Sequence, residues 1–317
     1  MNGVRGTGLL MVLAAVGCGA AAEQEAEPAA ARAPVTTEPA QDPIPLAGTE
    51  TEEDWRILLS TVSWARAQGL DTLSMGETVA RVGRRFVGRP YIPGTLEVAE
   101  PEALVVNLRE FDCVTFVENA VAISRVLHTT DRDAAETQIR DRFVSELAGL
   151  RYRDGRIDGY PSRLHYFSEW ISDNERRERV RHLSPLIGGT ADEQPITFMT
   201  THPDAYRQLA DSAVLEEIRR REEELSGRAR YGVRQNRIAQ FQDSIQTGDL
   251  IAATSTLVGL DVAHTGIAIW DGDVLRLMHA PLVGDSVQIS EVPLADRINS
   301  ISRQDGIMVA RPLAPAG

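Results

Sequence analysis

The feature that most restricts the fold is a short turn, Asp271-Gly272, set between two apolar segments, Val262–Trp270 and Val274–Ala280. Asp-Gly between such segments is a strong signal for a two-residue hairpin, so the segments are expected to pair antiparallel. Further short β segments at Asp249–Ala253, Val287–Val292 and Ile307–Arg311 continue the pattern toward the C-terminus. Upstream the period is helical: Trp55, Leu58, Val62 and Ala65 share one face of residues 54–68, a second helix covers 72–85, and a third runs from about Cys113 to Leu127. Residues 130–245 read as mostly helical and highly charged. Helices followed by a meander of strands predict an α+β domain with an antiparallel sheet.

The hairpin carries candidate chemistry. His264 and His279 are equally far from the Asp271-Gly272 turn, so an unbulged hairpin sets them directly opposite each other on one face, with Cβ atoms about 5 Å apart. A base held by an orienting partner follows the logic of a catalytic triad; the plainer reading is two unrelated sheet histidines. Cys113 lies in Glu110-Phe111-Asp112-Cys113-Val114-Thr115-Phe116. Asp112 is a natural N-cap, which puts Cys113 at the first helical position, where the helix dipole and free N–H groups favour a thiolate. The alternative for Cys113 is a small buried apolar residue.

Charge and composition remove whole classes. The net charge is -13, opposite in sign to a nucleic-acid binder. All 33 basic residues are Arg, which excludes Schiff-base chemistry and a phosphate loop ending in Gly-Lys-Ser/Thr. With only Cys18 and Cys113, cysteines alone cannot build a zinc ribbon or iron–sulfur cluster. No cofactor is called for.

The N-terminus reads as an export signal over residues 1–18, with Arg5 ahead of an apolar core, Leu9–Val16, too short to span a bilayer. Ala15-Val16-Gly17-Cys18 resembles a bacterial lipobox with Cys18 as the lipidation site; plain secretion is the alternative. Residues 19–50, rich in Ala, Pro, Glu and Thr, read as a flexible acidic tether, with the folded domain over 51–317. Membrane association is expected only through this anchor, and the location is the cell envelope or the exterior.

Taken in order, Pro90-Tyr91, Asp112-Cys113, Gly248-Asp249-Leu250, His264-Thr265-Gly266-Ile267 and His279-Ala280 resemble the core pattern of the NlpC-type peptidases, a papain-like superfamily of bacterial cell-wall hydrolases. Gly88–Glu97, Phe111–Glu118 and Ser162–Ile171 are closer still to its N-acetylmuramoyl-L-alanine amidase-like branch. The resemblance implies a papain-like core, with the helix-borne cysteine packed on an antiparallel sheet and a large helical insert at about 130–245. It also implies Cys113 as nucleophile, His264 as general base, His279 as its orienter, and Tyr91 beside the nucleophile to hold the oxyanion or substrate. The Cys113 N–H is the other oxyanion donor expected at a helix start. Asp112 either meets a substrate amine, as the residue before the cysteine does in this superfamily, or only caps the helix.

In the insert, Arg163, His165 and Tyr166 are expected to line the cleft, because polar residues at the edge of an element are otherwise unexplained. The competing reading is that the stretch packs the insert onto the domain. Three functions follow: a cysteine amidase cutting between muramic acid and L-alanine in peptidoglycan or muropeptides, an endopeptidase cutting the stem peptide after D-Glu, and a non-catalytic module in which Cys113, His264 and His279 hold a metal.

Overall fold

The computed structural model describes residues 43–98, 100–283 and 285–315. Cys18, with the rest of the expected signal and residues 19–42 of the expected tether, lies outside the described residues. Residues 44–47, also assigned to the tether, already pair with the domain: Ala47 donates to the Leu104 carbonyl (3.0 Å) and Leu104 to that of Pro45 (2.8 Å). The folded part therefore begins earlier than Thr51.

Four helices come first: α1 (Glu52–Ala67), α2 (Met75–Arg84), α3 (Cys113–Thr129) and α4 (Glu136–Arg151). Their starts are written in the sequence. Ser74 and Glu77 form a capping box on α2, and Asp112 with Thr115 does the same on α3, satisfying amides that the helix itself leaves unpaired. The insert, to which α4 already belongs, continues as α5 (Phe167–Arg176), β1 (Val180–His182), β2 (Thr190–Asp192), α6 (Phe198–Thr201), α7 (Ser212–Ser226), β3 (Arg230–Arg234) and α8 (Ile238–Phe241). The C-terminal part is β4 (Leu250–Ser255), β5 (Val262–Asp271), β6 (Val274–His279), β7 (Gln288–Ile289), α9 (Leu294–Ser300) and β8 (Gln304–Pro312).

Among the described residues the strands form one eight-stranded antiparallel sheet in the order β2-β3-β8-β4-β5-β6-β7, with β1 also paired to β8. The α+β expectation thus holds, with one correction and one addition. The insert is not simply helical, since its three short strands extend the domain's own sheet through β8. At three to five residues each, they are too short to show a period in the sequence. Residues 294–300, which fall between the expected strands at 287–292 and 307–311 and to which the sequence assigns no element, form a helix.

Both faces of the central strands are covered, as the alternation in β4 shows. Leu250 and Ala252 join the core under α1–α5, whereas Ile251 and Ala253 join a second core with Leu294 and Ile298 of α9. A third cluster, holding Tyr160, Tyr166, Met199, Leu209, Ile218 and Leu225, closes the insert on itself. Each fully buried Leu, Ile or Phe side chain of this kind contributes about 1.5–3 kcal/mol.

Two glycines permit close approaches between α2 and the sheet. A Cβ on Gly248 would stand 1.9 Å from the Gly76 carbonyl oxygen of α2, and Gly248 also has φ +92°. A Cβ on Gly83 would stand 2.5 Å from Met278 Cε. The Gly-Asp-Leu motif is therefore structural: its Asp249 accepts a bidentate pair from Arg311, both bonds 2.8 Å.

Candidate active site

Cys113 begins α3. Asp112 Oδ1 accepts the N–H groups of Val114 (3.0 Å) and Thr115 (2.7 Å), while Thr115 Oγ1 accepts the Asp112 N–H (2.9 Å). Asp112 thus caps the helix, answering one half of the question the sequence leaves open; its Oδ2 takes no part in the cap. The Cys113 N–H lies in the first turn, where the helix itself supplies no i–4 carbonyl partner.

The loop of Pro90 and Tyr91 runs alongside. Phe111 donates to the Pro90 carbonyl and Ile92 to the Phe111 carbonyl, both at 3.0 Å, so Tyr91 and Phe111 form a parallel bridge. This brings Tyr91 beside Cys113 and Asp112. Burial, then the charges of Cys113 and Asp112, raise its phenol above the ordinary range.

From the sheet, Thr265 Oγ1 donates to the Cys113 carbonyl oxygen (2.7 Å), which fixes β5 against the start of α3. His264 precedes that contact by one residue. Its Nε2 lies 2.7 Å from His279 Nδ1, with ring centroids 4.9 Å apart and planes at 87°. The histidines do meet, but not directly opposite each other. Asp271 pairs with Val274 and Ile267 with Met278, so the two loop residues are Gly272 and Asp273. Gly272, at φ +59°, takes the first central position, where a type II′ turn requires glycine. Continued along the strands, this register sets His279 opposite Gly266, whose added Cβ would be 3.0 Å from that of His279. His264 reaches across the vacant side of Gly266 as a diagonal neighbour on the same face. The glycine of His-x-Gly leaves the room for the ring-to-ring bond.

The protonation states differ from the thiolate the sequence suggests. Burial, followed by the charge of Asp112, pushes the Cys113 thiol up to about 11, outweighing the hydrogen bonds from Thr265 that act the other way. Burial, then Arg297, depresses His264 to about 3; burial, then His264 and Arg297, depresses His279 to about 2. The resting site is a neutral thiol beside neutral imidazoles. No hydrogen bond joins thiol and imidazole among the described residues, a separation common before substrate binds. Nor is any group of three His, Cys, Asp or Glu side chains among them placed to share a metal ion.

The insert residues behave otherwise. Arg163 is 5% exposed; its guanidinium grips Glu102 through Nε (3.0 Å) and Nη2 (2.9 Å), reaches Glu97 through Nη1 (2.8 Å), and lies over the Tyr160 ring. Tyr166 is 4% exposed, donates to Glu222 (2.6 Å) and accepts the Met199 N–H (3.0 Å). Arg163 and Tyr166 therefore do not line a cleft. They tie the insert together because a buried guanidinium or phenol must find internal partners. His165 is half-buried, with Nε2 3.0 Å from the Tyr160 carbonyl oxygen and its ring against Tyr160. Two residues at the site were missed by sequence reasoning. Thr265 stands inside the His-x-Gly motif, which was its only signal; Arg297 had none, because its helix was not anticipated.

A family model described as N-acetylmuramoyl-L-alanine amidase-like matches residues 81–307, more than half of the chain. A crystal structure of an N-acetylmuramoyl-L-alanine amidase from Bacteroides uniformis is 34% identical, with a TM-score of 0.70 over 75% of this chain and 99% of that one. A Bacteroides fragilis protein described as a proposed xylanase is 35% identical, with a TM-score of 0.66 over 72% and 98%. A Legionella pneumophila protein is 18% identical, with a TM-score of 0.57 over 83% and 97%, a likeness of fold alone. No curated protein sequence matches.

Proposed function

This chain belongs to the N-acetylmuramoyl-L-alanine amidase-like family, and from that premise we propose that it is a cysteine-dependent hydrolase of peptidoglycan or muropeptides, cutting the amide between the muramic acid lactyl group and L-alanine. The observation that carries the reading is the His264–His279 bond of 2.7 Å, held one residue from the strand position that clasps the start of the Cys113 helix.

In this mechanism the Cys113 thiol attacks the lactyl carbonyl carbon while His264 Nδ1 takes the thiol proton. With the thiol near 11 and the imidazole near 3, the proton moves as the carbon–sulfur bond forms, not beforehand. The developing oxyanion is met by the Cys113 N–H and the Tyr91 hydroxyl. Collapse breaks the carbon–nitrogen bond, His264 returns the proton to the leaving L-alanine amine, and a thioester remains. Water, deprotonated by His264, then releases the muramoyl carboxylate and restores the thiol. His279 keeps the His264 ring aimed at the sulfur.

The proposal includes the papain-like, NlpC-type relationship, which rests on the ordered motifs from Pro90-Tyr91 to His279-Ala280. It also includes export with a lipid anchor at Cys18, which rests on the lipobox-like Ala15–Cys18.

Defined muropeptides, incubated with the protein and resolved by mass, test the reading. The expected products are a free stem peptide and a muramic acid carboxylate, with the free stem peptide itself left intact. Cleavage after D-Glu, with muramoyl-L-alanine surviving, would make the protein an endopeptidase instead.

A further inference from the structure

The histidine pair raises a question of protons. His264 can accept from a thiol at Nδ1 only if its own proton sits on Nε2, and that holds only if His279 Nδ1 is an acceptor. Neutral imidazoles are free to choose the reverse, in which His279 Nδ1–H donates and His264 Nδ1 is protonated and useless as a base. Something must set the choice.

Arg297, on α9, brings Nη2 to 3.5 Å from His279 Nδ1. In sequence it lies between Leu294 and Ile298, which anchor α9 in the second core. Among the described residues it has no carboxylate partner, and its Nε is buried without an acceptor. Such an arginine is unusual in a protein where most buried guanidinium groups, Arg125, Arg151 and Arg163 among them, are paired with carboxylates. A guanidinium carries only donors and keeps its proton. Facing His279 Nδ1, it requires a lone pair there.

We propose that Arg297 is a positioning residue that fixes the tautomers of both histidines. With Nδ1 of His279 held as an acceptor, the proton of His279 is confined to Nε2, an atom buried with no partner, so nothing on that side competes. The 2.7 Å bond then runs from His264 Nε2–H to His279 Nδ1, and His264 Nδ1 is left with the lone pair that takes the thiol proton. The positive charge has a second effect of the same sense: it opposes protonation of either ring, so the base stays free in acid. The charged groups acting on the pair are Arg297 and the rings themselves.

The catalytic consequence rests on the function proposed above; the tautomer assignment does not. The test uses the full-length protein and three forms: wild type, Arg297→Met and Arg297→Lys. Long-range proton–nitrogen NMR of the histidine rings reports which nitrogen carries each proton without turnover, and folding is checked by thermal melting. Wild type is expected to show Nε2–H at both His264 and His279, and Arg297→Met to populate Nδ1–H at His279. With muropeptide, Arg297→Met should lose about 10- to 100-fold in kcat with little change in KM, the range typical for removing a group that orients a reacting imidazole. The acid limb of its rate profile should move to higher pH, because a neighbouring positive charge has been removed. Arg297→Lys, a donor without the fork, should recover part of both. Unchanged tautomers and an unchanged acid limb in Arg297→Met would overturn the proposal. Full activity of Cys113→Ala would instead sink the nucleophile reading and leave the tautomer result to be judged alone.

Discussion

The histidine hairpin and the stretch 163–166 of the insert carry similar side chains, histidine with arginine close by, and use them in opposite ways. At residues 163–166 polar atoms are matched: Arg163 with Glu102 and Glu97, Tyr166 with Glu222, and His165 with a backbone carbonyl. In the hairpin they are left over. His279 Nε2 and Arg297 Nε have no partners, the arginine has no carboxylate, and His264 Nδ1 makes no hydrogen bond among the described residues. The difference teaches where chemistry can occur. A saturated network holds its geometry and has nothing to offer a substrate, whereas spare hydrogen-bonding capacity, held rigidly, can act on an incoming molecule.

Substitution can break the contrast, beginning with the largest effect. Cys113→Ala and His264→Ala should each lower muropeptide turnover by about 10³-fold or more while the folded state survives, since neither side chain is part of the packed core. Product formation followed by mass, with circular dichroism for the fold, checks this; activity near wild type in either variant would remove the hairpin from the chemistry.

In the insert the order of effects should reverse. Arg163→Ala leaves Glu102 buried without its bidentate partner and is expected to cost about 3–5 kcal/mol of stability, read from denaturant unfolding. Turnover by the protein that remains folded should stay near wild type. Lost turnover at unchanged stability would return Arg163 to the substrate.

The smallest effect is expected at Tyr166→Phe, which strips Glu222 of one donor and the Met199 N–H of its acceptor. Roughly 1–3 kcal/mol of stability should be lost, again without a change in turnover. A shift in KM with no change in stability would place Tyr166 in the cleft after all.

Much of this site was legible because it depends on local rules. The cap at Asp112, the helix start at Cys113 and the shared face of the two histidines each follow from a few neighbouring residues. The hairpin also shows why a partly wrong reading kept the right partners. Moving the turn from Asp271-Gly272 to Gly272-Asp273 shifts each cross-strand pair by two residues. That preserves the face, because side chains alternate with period two. A bulge of one residue would have parted the histidines. The insert offered no such rule. The sequence around Arg163, His165 and Tyr166 shows polar side chains at an element's edge, and whether they face solvent or a distant Glu222 is not a local property.

By itself, then, the sequence determined the α+β class, the antiparallel hairpin, the capped helix beginning at Cys113, and the exclusion of lysine chemistry. Only the tertiary structure decided that the insert lends three strands to the sheet, that Arg163 and Tyr166 turn inward to carboxylates, that the cysteine rests as a thiol, and that Arg297 faces His279. The physical reason is range. Period, caps and turns act over a few residues, whereas burial, ion pairing and proton placement depend on what the fold brings together from far along the chain. Leu225 and Tyr166, or Arg297 and His279, become neighbours only once the cores have closed.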